Sequence, residues 1–553
     1  MFYNPGKIED NDAKEMKRRS KNIEYEFISS KAKRLSKLSV FYQYIEADYR
    51  GRLYYSEPFL NFQGSDLSRG LFKFARAKQM TEDGKRWLAI HTANSMNMSY
   101  NINEIPEWCE GDYKSHLESE GLESISVDKW TLDDRVRWTN THMDLIIQAG
   151  EELVFIDNAE KEISLLACCV EWADIQKAED ENRIHYTSLP IPIDGSNNGW
   201  QHLGAISKDR HTGDLVGLTE REIQQDFYVQ TAKKLFEITT DEERKAILEA
   251  MPMKSIRKGI SKRGSMTRAY SAGAAKIAEN MYLDCKVEDF HEKYGITEGN
   301  CLGFARDLIV AINEVCPGPL ETMKYLQDLA KYQIGEYKRF RNGKEAGKEF
   351  SELSKKVKEI YEIPKDKKTE EDLIKLNELI KELQEFEVQL VYGKGLKYLS
   401  WITPSQFPVF YENYQTKSVA TKGSIANYTK YNKQGRVNHK GQIATTNPDV
   451  RGFMCGISPN FIHSMDASHM SLVISGWTED FGAVHDSFST HACDVDELLF
   501  LTKKVFVNMY DKPDFYEELE NNIMPNASGS SIDKPTLGNL KITEVYDSDY
   551  FFA

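Results

Sequence analysis

Asp194 and Asp486 are the residues whose setting most directly suggests chemistry. SLPIPIDGS (188–196) is a short apolar run ending at an Asp-Gly turn, the pattern of a strand that delivers Asp194 to its end. FGAVHDSFSTHA (481–492) reads as two short strands around a His-Asp turn, which puts Asp486 on a hairpin tip. Carboxylates on adjacent strand ends repel unless a cation lies between them. Mg²⁺ suits such a pair, because one or two carboxylates hold it and substrate phosphates and water complete its shell. A site of two such ions activates an attacking oxygen and stabilises a leaving one in phosphoryl transfer. Taken alone, a pair of unrelated turn aspartates explains the same residues at least as well.

The complementary charge comes from SIRKGISKRGSMTRAYSAG (255–273). Lys258, Lys262, Met266 and Tyr270 recur every four residues, along one slowly drifting helix face. From Lys262 to Tyr270 such a helix rises about 12 Å, enough for cations to grip a triphosphate while an aromatic ring lies against sugar and base. In isolation, an exposed basic helix with a stray tyrosine is the plainer reading. Two long stretches weigh against it. Lys254, Arg257, Lys258, Lys262, Arg263, Arg268 and Lys276 lie in 254–278 without an acid. Lys417, Lys422, Lys430, Lys433, Arg436 and Lys440 lie in 413–448, again without one. A net charge of -15 excludes coating nucleic acid through the overall field, but not through local channels of this kind.

The elements that must position these groups follow from pattern. A polar, basic helix is expected over roughly 12–38, strand character in RGRLYY (50–55), and helices over 85–96, 219–250 and 254–283. Phe350, Leu353, Val357 and Ile360 repeat at helical spacing, Pro364 interrupts, and Leu376, Leu379, Leu383 and Phe386 resume. Residues 342–390 therefore read as a charged antiparallel helical hairpin inserted into the core. At 553 residues the chain divides into two or three subdomains rather than one. No apolar run approaches a membrane span. The start MFYNPGKIEDND lacks the features of a secretory or transit leader, so a cytoplasmic setting is expected. The eight cysteines (109, 168, 169, 285, 301, 316, 455 and 493) show no zinc spacing and read as core thiols of a reducing compartment.

Together these segments resemble a family. IDGSNNGWQH (193–202) resembles motif A of the single-subunit DNA-directed RNA polymerases of phages and mitochondria, RKGISKRGSMTRAYS (257–271) motif B, and VHDSF (484–488) motif C. YRGRLYY (49–55), NFQGSDLSRGL (61–71), QDFY (225–228), WITPSQFPV (401–409), SPNFIHSMDASH (458–469) and the final DSDYFFA fall in the family's order, so the resemblance runs from about Lys17 to Ala553. It implies an α+β right-hand polymerase fold with an antiparallel-sheet palm, mainly helical fingers and a truncated helical thumb. The expected division is a partial thumb helix (1–38), palm with motif A (39–222), fingers (223–463) carrying the 342–390 insertion and a basic hairpin (413–448), and palm with motif C and a C-terminal foot (464–553).

For individual residues the resemblance implies two Mg²⁺ ions on Asp194 and Asp486, with the Gly195 carbonyl contributing. Lys262, Arg257 and Lys258 would neutralise the triphosphate, the family's arginine falling on Lys258. Tyr270 would lie at the nucleotide sugar, Tyr228 and His463 would support ribose selection, Arg52 would contact nucleic acid or nucleotide, and His485 would flank the metals near the RNA 3′ end. Ribonucleoside triphosphates, template DNA and product RNA are the implied partners. Ser271 departs from the glycine that usually follows the motif B tyrosine, and a lysine expected after His91–Asn94 has no counterpart in SMNMSYNINEIP.

An A-family DNA polymerase is the nearest alternative. That family carries a glutamate five residues after the motif A aspartate, where this chain has Gly199, and His-Asp-Glu where this chain has His485-Asp486-Ser487. A non-catalytic nucleic-acid-binding subunit would be expected to have lost one of Asp194, Asp486, Lys262 and Tyr270, all of which are present. The family's N-terminal domain and half of its thumb have no match in this sequence. A separately encoded subunit is expected to supply them, docking on an apolar stripe that includes Met16, Ile23, Phe27 and Leu35; the alternative is a minimal enzyme that starts on single-stranded or pre-melted DNA, its short helix folded back on its own palm.

Overall fold

A computed structural model describes residues 10–340, 343–364, 368–385, 388–392, 394–422, 438–528, 530 and 532–552. Helices dominate, and the strands form small antiparallel sheets, as an α+β chain of this pattern should. The central sheet has three strands: β1 (Pro190–Asp194), β2 (Gly482–Val484) and β3 (Ser487–His491), in the order β2-β3-β1. Alternation explains its faces. Ile191 and Ile193 are buried in the main core, while Pro190, Pro192 and Asp194 look the other way. Ser487 pairs with Asp194, so both acidic turns emerge at one end of the sheet.

Helices pack around this sheet. Among them are α1 (Asp10–Leu35), α2 (Glu82–Met96), α3 (Glu162–Asp180), α4 (Phe227–Ile238), α5 (Lys262–Arg268) and the 27-residue α6 (Val450–Gly476). The expected boundary between 463 and 464 falls inside α6, which runs unbroken through it. The expected helix over 219–250 is two helices, α4 and Glu242–Ala250, each opened by an aspartate cap. Five of the eight cysteines are buried, Cys455 is exposed, and all are free thiols.

The insertion has the expected form. Helices Gly343–Tyr361 and Glu370–Glu385 pack on each other, with Leu376 and Leu379 buried in the seam; Phe386 lies outside the described residues. Its base is a strand pair, Glu336–Phe340 against Val388–Tyr392. The 413–448 stretch is an antiparallel hairpin of Tyr414–Lys422 with Asn438–Pro448. Residues 423–437 between its arms, including Lys430, Lys433 and Arg436, lie outside the described residues. On α1, Met16, Ile23 and Phe27 are exposed, whereas Leu35 is partly buried against a small cluster of Ile28, Leu60 and Phe72. The Phe27 ring stacks on Phe59 at 5.0 Å. Among the described residues no helix is long and apolar enough to cross a membrane.

Candidate active site

Asp194 closes β1, and Asp486 occupies the tight turn between β2 and β3, where His485 takes a positive φ of 55°. The Gly195 N–H donates to the Asp486 carbonyl at 3.1 Å, locking the two turns together. Gly195 also bridges to Phe552, and Gln201 donates to the carbonyls of Phe551 and Val216, so the C-terminal aromatics buttress the first turn from behind.

Burial pushes the Asp486 carboxyl up to about 7, reinforced by the neighbouring Asp466 and Asp194. Asp194 is raised too, by burial, although Lys161, Arg69 and Lys129 pull the other way. A carboxylate pair this poorly compensated fits a divalent cation, which would relieve both charges. Among the described residues no group of three or more His, Cys, Asp or Glu side chains could form a metal cage. The donors therefore suit an oxygen-loving ion whose remaining positions are filled by substrate and water, as for Mg²⁺.

The cationic wall is built differently from the regular helix expected. Arg257–Ser261 form a π-helical turn between Met253–Ile256 and α5. A π turn advances by about five residues rather than four per hydrogen bond. The residue aligned with Lys262 is thus Arg257, and these two line a cavity of about 390 Å³ together with Tyr270, Asp194 and Asp486. Lys258 turns away to Glu288 (2.6 Å) and is largely exposed; the structure does not bring it to the site. Asp226 both caps α4 and accepts from Arg257 Nε at 2.6 Å. Burial, with Arg257 and Lys129 close by, lowers the Lys262 pKa. Much of the remaining basic run is neutralised by neighbours. Arg263 pairs with Asp284 and Lys276 with Glu279, while Lys254 donates to Ser99 and Ser124.

Lys129 is a site residue that sequence reading missed. It lines the same cavity and donates to Gln224, which in turn donates to Ser196 beside Asp194. Residues 97–126 separate it from α2 and form a strand pair (Ser99–Asn101 with Ser124–Ser126) and a short helix, Tyr113–Glu120. Lys129 thus lies more than thirty residues beyond Asn94, on the far side of that excursion.

Tyr270 is partly buried, and burial of its hydroxyl, with Asp466 and Asp486, pushes it up to about 12, so it is a neutral donor. A Cβ on Gly199 would lie 2.9 Å from that hydroxyl oxygen; the position has no room for any side chain while Tyr270 stays in place. The His463 ring lies 4.5 Å from Tyr270. Burial, with Arg52 and Arg50, drives the His463 pKa to about 2. Arg50 donates to His463 Nδ1 at 2.8 Å, so the neutral ring carries its proton on Nε2. Tyr228 donates to Asn197, next to the first acidic turn, and Arg257 lies over its ring.

Arg52 is paired with buried Asp466 (2.7 Å), which also accepts from Asn198. The pair lies beside Tyr270 and Asp486. Asp466 went unread in the sequence, although it falls in the SPNFIHSMDASH segment. Tyr49, Arg50 and Arg52 engage Asn460, His463 and Asp466 of α6 in turn, a three-residue spacing along the helix. His485 contacts Gln63 through Nε2, and its Nδ1 has no hydrogen-bond partner among the described residues.

Two acidic turns at one end of a three-stranded sheet thus face a cationic helix and a tyrosine across one cavity. The chain belongs to the DNA-dependent RNA polymerase family, whose model matches residues 78–534. It is 25% identical to DNA-directed RNA polymerase 2, chloroplastic/mitochondrial, of Arabidopsis thaliana, over 97% of this chain and 45% of that protein. Identity to T7 RNA polymerase of Escherichia phage T7 is also 25%, over 98% of this chain and 56% of the relative. The DNA-directed RNA polymerase of Enterobacteria phage T3 is 24% identical, over 97% and 56% respectively. The chain spans about half the length of these relatives.

Proposed function

We propose that this chain carries out DNA-templated RNA synthesis, transferring nucleotides from ribonucleoside triphosphates to an RNA 3′ end. The observation that carries this is one shared cavity with Asp194 and Asp486 on one side and Lys262, Arg257 and Lys129 on the other. Lys262, Arg257 and Lys129 hold the triphosphate and offset its charge. Asp194 and Asp486, with the Gly195 carbonyl, would hold two Mg²⁺ ions, which supply activation of the 3′-hydroxyl and neutralisation of the departing pyrophosphate. Lys262, made more acidic by its surroundings, can pass a proton to that leaving group. Lys258 has no part in this reading.

Ribose selection falls to Tyr270 and its neighbours. The Tyr270 hydroxyl and the His463 Nε2–H are neutral donors beside the position of the sugar, and a site built to bond a 2′-hydroxyl rejects a sugar without one. Tyr228 holds the Asn197 turn beneath it. Gly199, closed off by Tyr270, leaves no space for the glutamate that a DNA polymerase would carry there. The exposed apolar face of α1, with Met16, Ile23 and Phe27, is in this reading a seat for further polypeptide that completes the thumb. The setting we propose, phage transcription in a host cytoplasm, draws on the T7 and T3 relatives and competes with the organellar ones.

The direct test is extension of an RNA primer on a DNA template, with ribo- or deoxynucleotides, by the chain and by its Asp194→Asn variant. Ribonucleotide addition lost in the variant supports the proposal. Preference for deoxynucleotides makes the enzyme a DNA polymerase, and binding of template without addition makes it a non-catalytic subunit. Mass in solution, with and without proteins that co-purify from the native cell, tests the partner.

A further inference from the structure

Asp194 and Asp486 also line a second cavity, of about 290 Å³, on the side away from Lys262. Arg69 and Lys161 stand on its wall, over a largely apolar floor that includes Phe62, Phe72 and Pro192. Phe72 packs in the cluster with Ile28 of α1, so this cavity faces the thumb-like helix as the first faces the fingers. The backbone segments that carry the two cations are anchored to their neighbours. Asp66, on the short helix that carries Arg69, accepts from the Ile163 N–H (2.7 Å) and the Ser164 hydroxyl (2.6 Å) at the start of α3. A Cβ on Gly70 would meet Ile163 at 2.8 Å, which shows how close the two segments run. Lys161, immediately before α3, is pinned by its N–H to the Ser95 carbonyl.

Among the described residues neither Arg69 nor Lys161 has a carboxylate partner, in a chain with 86 acids. Both cations line the cavity with Asp194, which feels the charge of each, and an anionic strand entering there would meet two positive side chains. Their field is felt locally: His91, buried on the same wall, is driven to about 3 by burial and then by Lys161 and Arg69. His485 also borders this cavity and brings its unpartnered Nδ1.

We propose that Arg69 and Lys161 bind the phosphodiester backbone at the 3′ end of the growing RNA and so position its terminal hydroxyl. The inference rests on the polymerase reading above. In-line displacement requires the attacking oxygen to approach from the side opposite the leaving pyrophosphate. With the triphosphate on Lys262, Arg257 and Lys129, the strand that supplies the nucleophile must reach Asp194 and Asp486 from the second cavity. Arg69 and Lys161 are positioning residues, since they act on the strand and not on the reacting atoms.

The test uses the full chain with a short RNA primer on a DNA template, and measures primer–template affinity without nucleotide and then single-nucleotide addition. Arg69→Ala and Lys161→Ala should each weaken binding by about three- to tenfold and lower its salt dependence by about one ion. The KM for the nucleotide should stay within about twofold of wild type. Arg69→Lys and Lys161→Arg should restore binding. A primer with uncharged methylphosphonates at its 3′-terminal linkages should bind wild type as weakly as the double alanine variant binds normal primer. That variant should lose nothing further with it. This arm needs no folded variant for its first half. Undiminished binding of the modified primer by wild type overturns the proposal, as does a rise confined to nucleotide KM, which would assign the cations to the triphosphate. Failure of wild type to extend any primer would sink the polymerase reading instead, while the binding measurements still decide the role of this cavity.

Discussion

Neutralising Asp486 should separate stability from catalysis. Its carboxyl moves from an ordinary 3.8 to about 7 on folding, chiefly through burial and then through Asp466 and Asp194. An acid raised in this way keeps its proton in the native state after the unfolded chain has released it. Its contribution to stability therefore falls as pH climbs from about 4 to about 7, and the full penalty stands above that. A rise of this size corresponds to about 4 kcal/mol, and sharing among three carboxylates reduces this to roughly 2–4 kcal/mol. With about 2.1 cal/mol/K of unfolding entropy per residue, Asp486→Asn should raise the metal-free Tm by about 2–3 °C at about pH 8. The gain should shrink towards about pH 5, and reading variant minus wild type cancels the histidines that titrate in the opposite sense. Mg²⁺ should stabilise wild type and not the variant, and nucleotide addition should fall by about a thousandfold or more. Scanning calorimetry across pH, with and without Mg²⁺, and single-turnover addition supply the measurements. A pH-independent stability difference would refute the electrostatic argument, and addition within about tenfold of wild type would refute the assignment of the site.

Tyr270→Phe removes one donor and keeps the ring, so incorporation of deoxynucleotides relative to ribonucleotides should rise about tenfold or more in a mixed-substrate extension assay. Ser271 holds a left-handed φ of 62° directly after Tyr270. Ser271→Gly should leave stability unchanged or raise it by up to about 1 kcal/mol, whereas Ser271→Val should cost about 1–2 kcal/mol, as read by chemical unfolding. Replacing residues 341–387 by a short Gly/Ser turn, with the strand pair beneath them kept, should preserve elongation on a primed template. Loss of elongation in a folded variant would make the insertion part of the catalytic machinery.

Both acidic turns could be read from sequence because each signal is local: alternation, then a turn dipeptide, fixes a strand end without knowledge of the rest. The helical insertion was legible for the same reason, its seam being satisfied within the segment. What escaped depends on geometry that spacing does not encode. One π turn exchanged Arg257 for Lys258, since a four-residue period assumes an unbroken α-helix. Lys129 was hidden by the 97–126 segment, whose ends return to nearly the same place in space but not in sequence. The basic run over 254–278 looked like a nucleic-acid channel because the acids that quench it, Asp226, Asp284 and Glu288, lie on other elements or beyond its end. Asp466 was invisible as a partner because its importance exists only once Arg52 is folded against it.

The contacts of Tyr49, Arg50 and Arg52 with Asn460, His463 and Asp466 carry a consequence for descent and for chimeras. Arg52 and Asp466 are buried against each other, and the loss of either strands a charge at a cost of about 3–5 kcal/mol. Lineages should therefore change both together or neither, leaving a correlated pair of columns more than four hundred residues apart. Tyr49 with Asn460 and Arg50 with His463 should drift more freely, because those contacts are less deeply buried. A hybrid that takes its first sixty residues from one relative and its α6 from another should fail at this seam before it fails at Asp194 or Asp486. Exchanging the two segments as a unit should recover it.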